Sequence, residues 1–525
     1  MRPQSRKPVL LCQYESLLCS HHLLNGVPCL HAKFKISWSH PLNSPSTHDQ
    51  FSLLSERRFW PFFSAQFLGA FNDNLFKFAV TLLITYQWRV SWLPPALAGL
   101  IIGAVFISPF VLLSALSGQL ADYFDKARIL QCVKALEVCI MGLASLGFYL
   151  HSPLLLLLCL FFMGVHSTLF GPAKYAYLPE RFNALELLGA NALVEAGTFL
   201  AILLGNLLGG ILITTDSAEQ SVHTQVSWVC IGLALTGLAF SWFIPKLDAQ
   251  DLSVQPLSSG SALQTLKILI QNWNPLAQTL QSLRVANELP GMRAALFGIS
   301  WMWFYGAVFL SIFPSFSKDL LNGSPGVASL LLFVFSLGIG AGSLLCTSLK
   351  HPDYELGLVF LGLLGMSLFT LDLAYSVNVQ AYGGSLLELR DPSLFIRPPN
   401  SAILSIDGFL TKKGSFHILI DLALLSAFTG IFSVPLYTFI QSYSPPESCA
   451  KNIAANNILN ALFMVSSAVI VGFLLFIGLT ITQVFLALSI SNLLALLYLA
   501  VQLPELQTHF VCSVREWIRD FKNPF

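Results

Sequence analysis

Apolar runs of about 20 residues recur about twelve times along this 525-residue chain, and that recurrence constrains the fold more than any single motif. At about 1.5 Å per helical residue, each run can cross the roughly 30 Å hydrocarbon core of a bilayer. Hydrocarbon offers the backbone no partners, so every N–H and C=O must be satisfied within the segment, which selects helices. Six runs fall at 59–86, 97–120, 129–150, 153–173, 186–213 and 226–245. Six more fall at 292–316, 326–349, 355–375, 415–441, 453–477 and 480–503. The expected fold class is an all-α membrane protein with twelve transmembrane helices in two six-helix bundles, 56–245 and 292–503. A composition of 55% hydrophobic and 10% charged residues fits that class, and a net charge of +1 argues against nucleic-acid binding.

The segments outside the bundles differ in kind. Residues 1–55 hold Cys12, Cys19 and Cys29 with His21, His22, His31, His40 and His48, in spacings that match no standard zinc finger. No CxxC pair occurs, so no metal or redox centre is expected. No clean apolar core precedes a small-residue cleavage site, so a secretory signal fits poorly. This stretch reads as a disordered cytoplasmic tail or as the product of a wrongly assigned start codon. Residues 246–291 read as a cytoplasmic linker. Residues 376–414, with Gly383-Gly384 and Pro398-Pro399, read as a periplasmic insertion with a short hairpin, and 504–525 as a short surface helix on the membrane. Lysines and arginines set the orientation. Arg57, Arg58, Lys126, Arg128, Lys174, Arg181, Lys246 and Lys451 fall on one side, against Arg89 and Lys318 in short loops on the other. Both termini are expected in the cytoplasm, with the chain multi-pass in the plasma membrane.

Several polar groups interrupt the apolar runs. Asp73 lies in Phe71-Asn72-Asp73-Asn74-Leu75-Phe76-Lys77, inside the first run. An aspartate at the centre of a span costs roughly 2.5–3.5 kcal/mol unless it faces a partner or water. Asp73 and Lys77 share one helix face at i, i+4, so a structural ion pair and the lining of a substrate or ion path both remain open. Lys134 and Glu137 read as a pair near the cytoplasmic end of the third span. Asp421 faces a cavity or caps a broken helix after Gly414. Asn456, Asn457 and Asn460 bond across helices for about 0.6 kcal/mol each, or act as ligands. Gly338, Gly340 and Gly342 permit a tight helix crossing.

The two halves echo each other. Phe170-Gly-Pro-Ala-Lys-Tyr175 and Gly189-Ala-Asn191-Ala-Leu-Val-Glu195-Ala recur as Phe432-Ser-Val-Pro-Leu-Tyr437 and Ala454-Ala-Asn456-Asn-Ile-Leu-Asn460-Ala. Parallel halves of this kind occur in transporters that rock two bundles about a midplane site.

The loop after the second span, Gly118-Gln-Leu-Ala-Asp122-Tyr-Phe-Asp125-Lys126-Ala-Arg128, has an aspartate able to cap a neighbouring helix and to pair with Arg128 or Lys126. It resembles the cytoplasmic signature of the major facilitator superfamily, although Tyr123 stands where a basic residue is commonest. Gln66-Phe-Leu-Gly-Ala-Phe71-Asn-Asp73-Asn-Leu-Phe76, Phe170-Gly-Pro-Ala-Lys-Tyr175 and Leu178-Pro179-Glu180 are similar to the lysophospholipid transporter family. Ile453-Ala-Ala-Asn456-Asn457-Ile-Leu-Asn460 looks most like its branch fused to a phospholipid acyltransferase and acyl-carrier-protein synthetase. The likeness runs from Phe59 to Leu503, outside the N-terminal segment and the 376–414 loop.

The resemblance implies the two-bundle fold of that superfamily and transport of lysophospholipid to the cytoplasmic leaflet of the bacterial inner membrane for reacylation. The alternative is a transporter of a small solute or drug. The implied pathway comprises Asp73, Asn72, Asn74, Lys77, Glu195, Asn191, Asn456 and Asn460. Gly118, Asp122, Lys126 and Arg128 would gate it, and Lys174, Tyr175 and Glu180 would stand at its cytoplasmic edge. The family's seventh span carries an arginine suited to a phosphate, where this chain reads Trp301-Met-Trp-Phe-Tyr305. Headgroup binding would then rest on Lys77, Lys134 or the aromatics. An enzyme is not expected. Acyltransferases of that kind place an aspartate five residues after a histidine, and His417-Ile-Leu-Ile-Asp421 is one residue short. No nucleotide-binding loop or other cofactor motif occurs, so acyl transfer would fall to a separate acyltransferase or acyl-carrier-protein synthetase.

Overall fold

Among the described residues twelve long helices carry the chain: α1 Trp60–Leu82, α2 Pro95–Tyr123, α3 Lys126–Tyr149, α4 Pro153–Arg181, α5 Ala184–Thr214, α6 Glu219–Trp242, α7 Met292–Ser315, α8 Pro325–Leu349, α9 Gly357–Tyr382, α10 Ser415–Tyr443, α11 Cys449–Phe476 and α12 Ile481–Gln502. They come from a computed structural model that describes residues 50–84, 95–214, 219–246, 291–349, 356–382 and 403–503, with isolated positions between. The N-terminal cysteines and histidines, nearly all of the linker, the centre of the 376–414 insertion and the tail after Leu503 lie outside the described residues.

Local sequence explains several helix starts. Pro61 opens α1, where its missing N–H costs nothing. Ser152 caps α4 ahead of Pro153 by accepting from the Leu155 N–H at 3.4 Å. Thr480 and Gln483 form a capping box at α12.

Eleven of the twelve helices are long and apolar enough to cross a membrane by length and composition. The exception is α1, whose Asn72-Asp73-Asn74 and Lys77 pull its mean hydropathy down. Helix α4 was expected to end at 173 but runs to Arg181 through Pro172 and Pro179. Hydropathy fades at Lys174, yet the backbone continues because neighbouring helices can satisfy the groups that a proline frees. Helix α9 similarly extends past 375 to Tyr382. At the end of the expected tail, Gln50–Ser55 forms a 3-10 turn with Leu53 buried.

Each helix pairing in the first half recurs in the second. Helix α1 packs on α5 and α6, α2 on α4, and α3 on α4 and α6. Correspondingly, α7 packs on α11 and α12, α8 on α10, and α9 on α10 and α12. Across the halves, α2 lies on α11 and its counterpart α8 lies on α5. The fold is thus two pseudo-symmetric six-helix bundles. A β-carbon on Gly342 would sit 1.8 Å from the Ala427 carbonyl oxygen, so α8 and α10 cross in contact only because that side chain is absent. Among the described residues the only β-bridge is isolated, joining Gly323 to Leu404.

Candidate functional site

A cavity of about 280 Å³ lies between the bundles. Helix α1 supplies Asp73, Asn74 and Lys77 to one wall, and α4 supplies His166, Ser167, Lys174 and Tyr175. Opposite stand Trp303 of α7, Tyr437 of α10, and Asn457 and Asn460 of α11. Phe106, Ile107 and Phe110 of α2 face Ala461 and Met464 of α11, making one end of the lining apolar.

From Asp73 a line of polar groups runs out of the cavity into the sealed first bundle. The Ser167 hydroxyl donates to Asp73. His166 Nδ1 stands 3.9 Å from Asp73 Oδ1, and its Nε2 stands 3.2 Å from Glu137 Oε2. Glu137 accepts from Asn72 Nδ2 at 2.7 Å and pairs with Lys134. Lys134 and Glu137 have no exposed surface at all.

Of the two readings left open for Asp73 and Lys77, the ion pair does not form: among the described residues no ion pair joins them. Asp73 turns toward α4, whereas Lys77 reaches for α2, its Nζ donating to Asn74 Oδ1 at 3.0 Å and lying 5.1 Å from the Phe106 ring centre. Lys174 was placed at the cytoplasmic edge, but it and Tyr175 line the cavity, with Lys174 Nζ 4.4 Å from the Tyr175 ring centre. Among the described residues neither lysine has a carboxylate within ion-pair distance. The cavity therefore presents two ammonium groups and one carboxylate among aromatic and apolar side chains.

The end of the bundles that carries the α2–α3 loop is closed. Tyr175 and Tyr437, equivalent positions of the internal repeat, stack across it with ring centres 4.6 Å apart and planes 6° from parallel. Asn191 Nδ2 donates to Thr438 Oγ1 at 3.1 Å and to Gln441 Oε1 at 2.6 Å. Gln441 Nε2 in turn donates to the Tyr175 carbonyl at 3.2 Å. Beyond these, Asp122 accepts from the Ala450 N–H at 3.2 Å, capping the first turn of α11, with Lys451 Nζ 3.6 Å away. The expected partners of Asp122 are engaged elsewhere or idle. Lys126 pairs with Glu180 at 2.5 Å, and Arg128 is exposed. A β-carbon on Gly118 would lie 2.7 Å from Ala454 Cβ, so this glycine lets α2 meet α11. Below the closure, Arg58 donates to Glu186 at 2.6 and 3.1 Å and to the Arg181 carbonyl at 2.7 Å. Those bonds to Glu186, with Glu56 beside them, hold its guanidinium above its usual pKa.

The remaining expectations divide. Asn74, Lys77 and Asn460 line the cavity together with Asp73, and Asn460 Oδ1 accepts from Ser300 Oγ at 2.9 Å. Asn72 points away from it, into the Glu137 cluster. Asn191 belongs to the closure. Glu195 is buried against the Tyr175 hydroxyl at 3.3 Å, and Asn456 is buried behind the lining. Lys134 does not reach the cavity, so it offers no charge to a headgroup. Asp421 neither faces the cavity nor caps α10; it meets Ser376 and His417. Sequence reasoning missed His166 and Ser167, named Tyr437 only as a repeat position, and reached Trp303 only as one of the aromatics of the seventh span. His166 could have been found, because an ionisable residue inside an apolar run is a candidate by the same argument that singled out Asp73.

Comparison with known proteins gives consistent results. The model of the Major Facilitator Superfamily matches residues 62–396. The lysophospholipid transporter LplT of Escherichia coli O1:K1 / APEC is 32% identical over 243 residues, 46% of this chain and 52% of that protein. The LplT of Escherichia coli O7:K1 (strain IAI39 / ExPEC) is 31% identical over the same shares. The chain thus spans about half the length of the curated relatives it matches. Among solved structures, the human organic anion transporter MFSD10 (TETRAN) aligns over 87% of this chain and 100% of its own, with 14% identity and a TM-score of 0.61. At 14% identity that likeness speaks for the fold alone.

Proposed function

Because the chain belongs to the Major Facilitator Superfamily, we propose that it is a secondary transporter that carries lysophospholipid across the inner membrane to the cytoplasmic leaflet, by alternating access of its two bundles. The observation that carries this reading is the lining of the cavity. Lys77 and Lys174 are placed to meet a phosphate, and Asp73 to meet the ammonium of a zwitterionic headgroup. At about 280 Å³ the space suits a headgroup. A single acyl chain would lie along the apolar wall of Phe106, Ile107, Phe110, Ala461 and Met464. The LplT relatives support the substrate class through their name. The distribution of lysines and arginines supports a cytoplasmic side that carries the α2–α3 loop, and on that reading the closed end faces inward and the cavity belongs to an outward-facing state. A separate acyltransferase or acyl-carrier-protein synthetase would then reacylate the product.

Proteoliposomes test the reading. Labelled lysophosphatidylethanolamine should cross the bilayer faster with the protein than in empty vesicles, and equal rates would sink it. In the middle of the seventh span the chain reads Trp301-Met-Trp-Phe-Tyr305, with no arginine to meet a phosphate, and that favours a second reading, a small soluble solute. Competition separates the two, because lysolipid should displace a lysolipid but not a solute.

The closure yields its own expectation. Asn191→Leu removes the amide that donates to Thr438 Oγ1 and Gln441 Oε1 on α10 and leaves that Gln441 oxygen unmet, so the inward-closed state should weaken by about 1–3 kcal/mol. In inside-out vesicles, a cysteine introduced as Ala461→Cys should then react with an impermeant maleimide about tenfold faster or more. An unchanged labelling rate would remove Asn191 from the gate.

A further inference from the structure

Away from the cavity, α9 and α10 bring together a cluster that is no part of its lining. His417 and Asp421 stand at i, i+4 on α10, and Asp372 and Ser376 stand at i, i+4 on α9, so two helix faces present four donors to one point. His417 Nε2 lies 3.0 Å from Asp372 Oδ2 and 3.5 Å from Asp421 Oδ2, and Ser376 Oγ lies 3.3 Å from Asp421 Oδ2. We infer that Asp372, His417 and Asp421 form a binding site for a zinc-class divalent cation, which braces α9 against α10.

Three features support it. Bonds of about 2.0–2.2 Å to a tetrahedral cation place donor atoms roughly 3.3–3.5 Å apart; His417 lies 3.5 Å from Asp421 and 3.0 Å from Asp372, and all three donor atoms fall within 4.8 Å of one another. Charge is out of balance as well. Two carboxylates share one imidazole, and among the described residues no lysine or arginine makes an ion pair with either. Asp421 is the critical member, because its side chain is 2% exposed within an apolar helix. Its only other partner in the cluster is a hydroxyl, and a carboxylate so buried calls for a cation. The site is nevertheless reachable, since the side chains of His417 and Asp372 are 51% and 42% exposed. The donor set decides the class of ion. An imidazole with two carboxylates suits zinc, cobalt or manganese, whereas calcium and magnesium prefer oxygen alone. Both helices belong to one bundle, so a cation here would stiffen that bundle and leave the two bundles free to move past each other.

The full chain, purified in detergent and stripped with a chelator, provides the test, with zinc chloride as the probe. Wild type should retain one more zinc per chain than His417→Ala, measured by atomic emission after desalting. The difference between the two cancels any zinc held by the N-terminal cysteines and histidines. Zinc should also raise the melting temperature of wild type by a few degrees while leaving His417→Ala and Asp372→Asn unmoved. Magnesium should do neither. His417 and Asp372 are part-exposed, so these variants are expected to fold. Equal zinc content in wild type and His417→Ala, or a zinc shift that survives both substitutions, would overturn the site. A cluster that is only a histidine–aspartate hydrogen bond would lower stability in the variants equally with and without zinc.

Discussion

Asp73→Asn should slow lysophospholipid movement in proteoliposomes by about 10–100-fold, while expression and melting temperature hold or improve. Asparagine keeps the shape of the side chain, removes the charge and turns one acceptor oxygen into an NH2 donor. A hydrogen bond to a charged group is worth about 1.5–3 kcal/mol, against about 1 kcal/mol for a neutral one, so losing the ionic contact to an ammonium group costs one to two decades. The carboxylate is 8% exposed as a residue, and its Oδ1 has no hydrogen-bond partner within the protein. An acceptor left unmet at a cavity wall is poised for a ligand. Within the protein the carboxylate is met only by the Ser167 hydroxyl and, at 3.9 Å, by His166, too little to offset the cost of burying a charge, which is why stability should not suffer. Asp73→Glu, which keeps the charge, should retain part of the activity. Full activity in the asparagine variant would reduce Asp73 to a structural role.

The second large effect concerns the sealed pair behind it. Lys134→Met or Glu137→Leu alone strands a buried charge and should cost about 3–5 kcal/mol, enough to collapse the yield of folded protein. The two substitutions together remove both charges and should recover most of that loss. Recovery stays incomplete, because Asn72 Nδ2 loses its acceptor. Space in this region is tight. A β-carbon on Gly237 of α6 would lie 2.6 Å from Lys134 Nζ, so the ammonium is housed against bare backbone. The measurement is a melting curve in detergent for the two singles and the double. A double variant no more stable than the worse single would show that the pair is not what holds α3 in place.

These expectations rest on unequal footing in the chain itself. The spans were legible because apolar length is a local property that depends on no partner. The internal repeat was equally legible, and its consequence is physical: Tyr175 and Tyr437 meet in a stack where the two bundles close. Asp73 could be singled out because a charge inside hydrocarbon is costly wherever it stands. Its partners were not legible. The i, i+4 spacing offered Lys77, but rotamers set by α2 and α4 turned the two side chains apart. Lys134 pairs with Glu137 as its spacing suggested, but its alternative role at a headgroup falls instead to Lys174, which was read at the cytoplasmic edge. Hydropathy says that both are near a membrane, and only the packing says which one faces the cavity.

The sequence by itself determined the number of the helices, their approximate spans and their division into two repeated halves, because these follow from backbone satisfaction in lipid and from a duplicated pattern of residues. The tertiary structure decided which polar groups share a cavity, which seal it, and which gather on α9 and α10 far from it. Those outcomes depend on how helices distant in sequence rotate against one another. A rotation of one residue position, about 100°, moves a side chain from the cavity to the lipid.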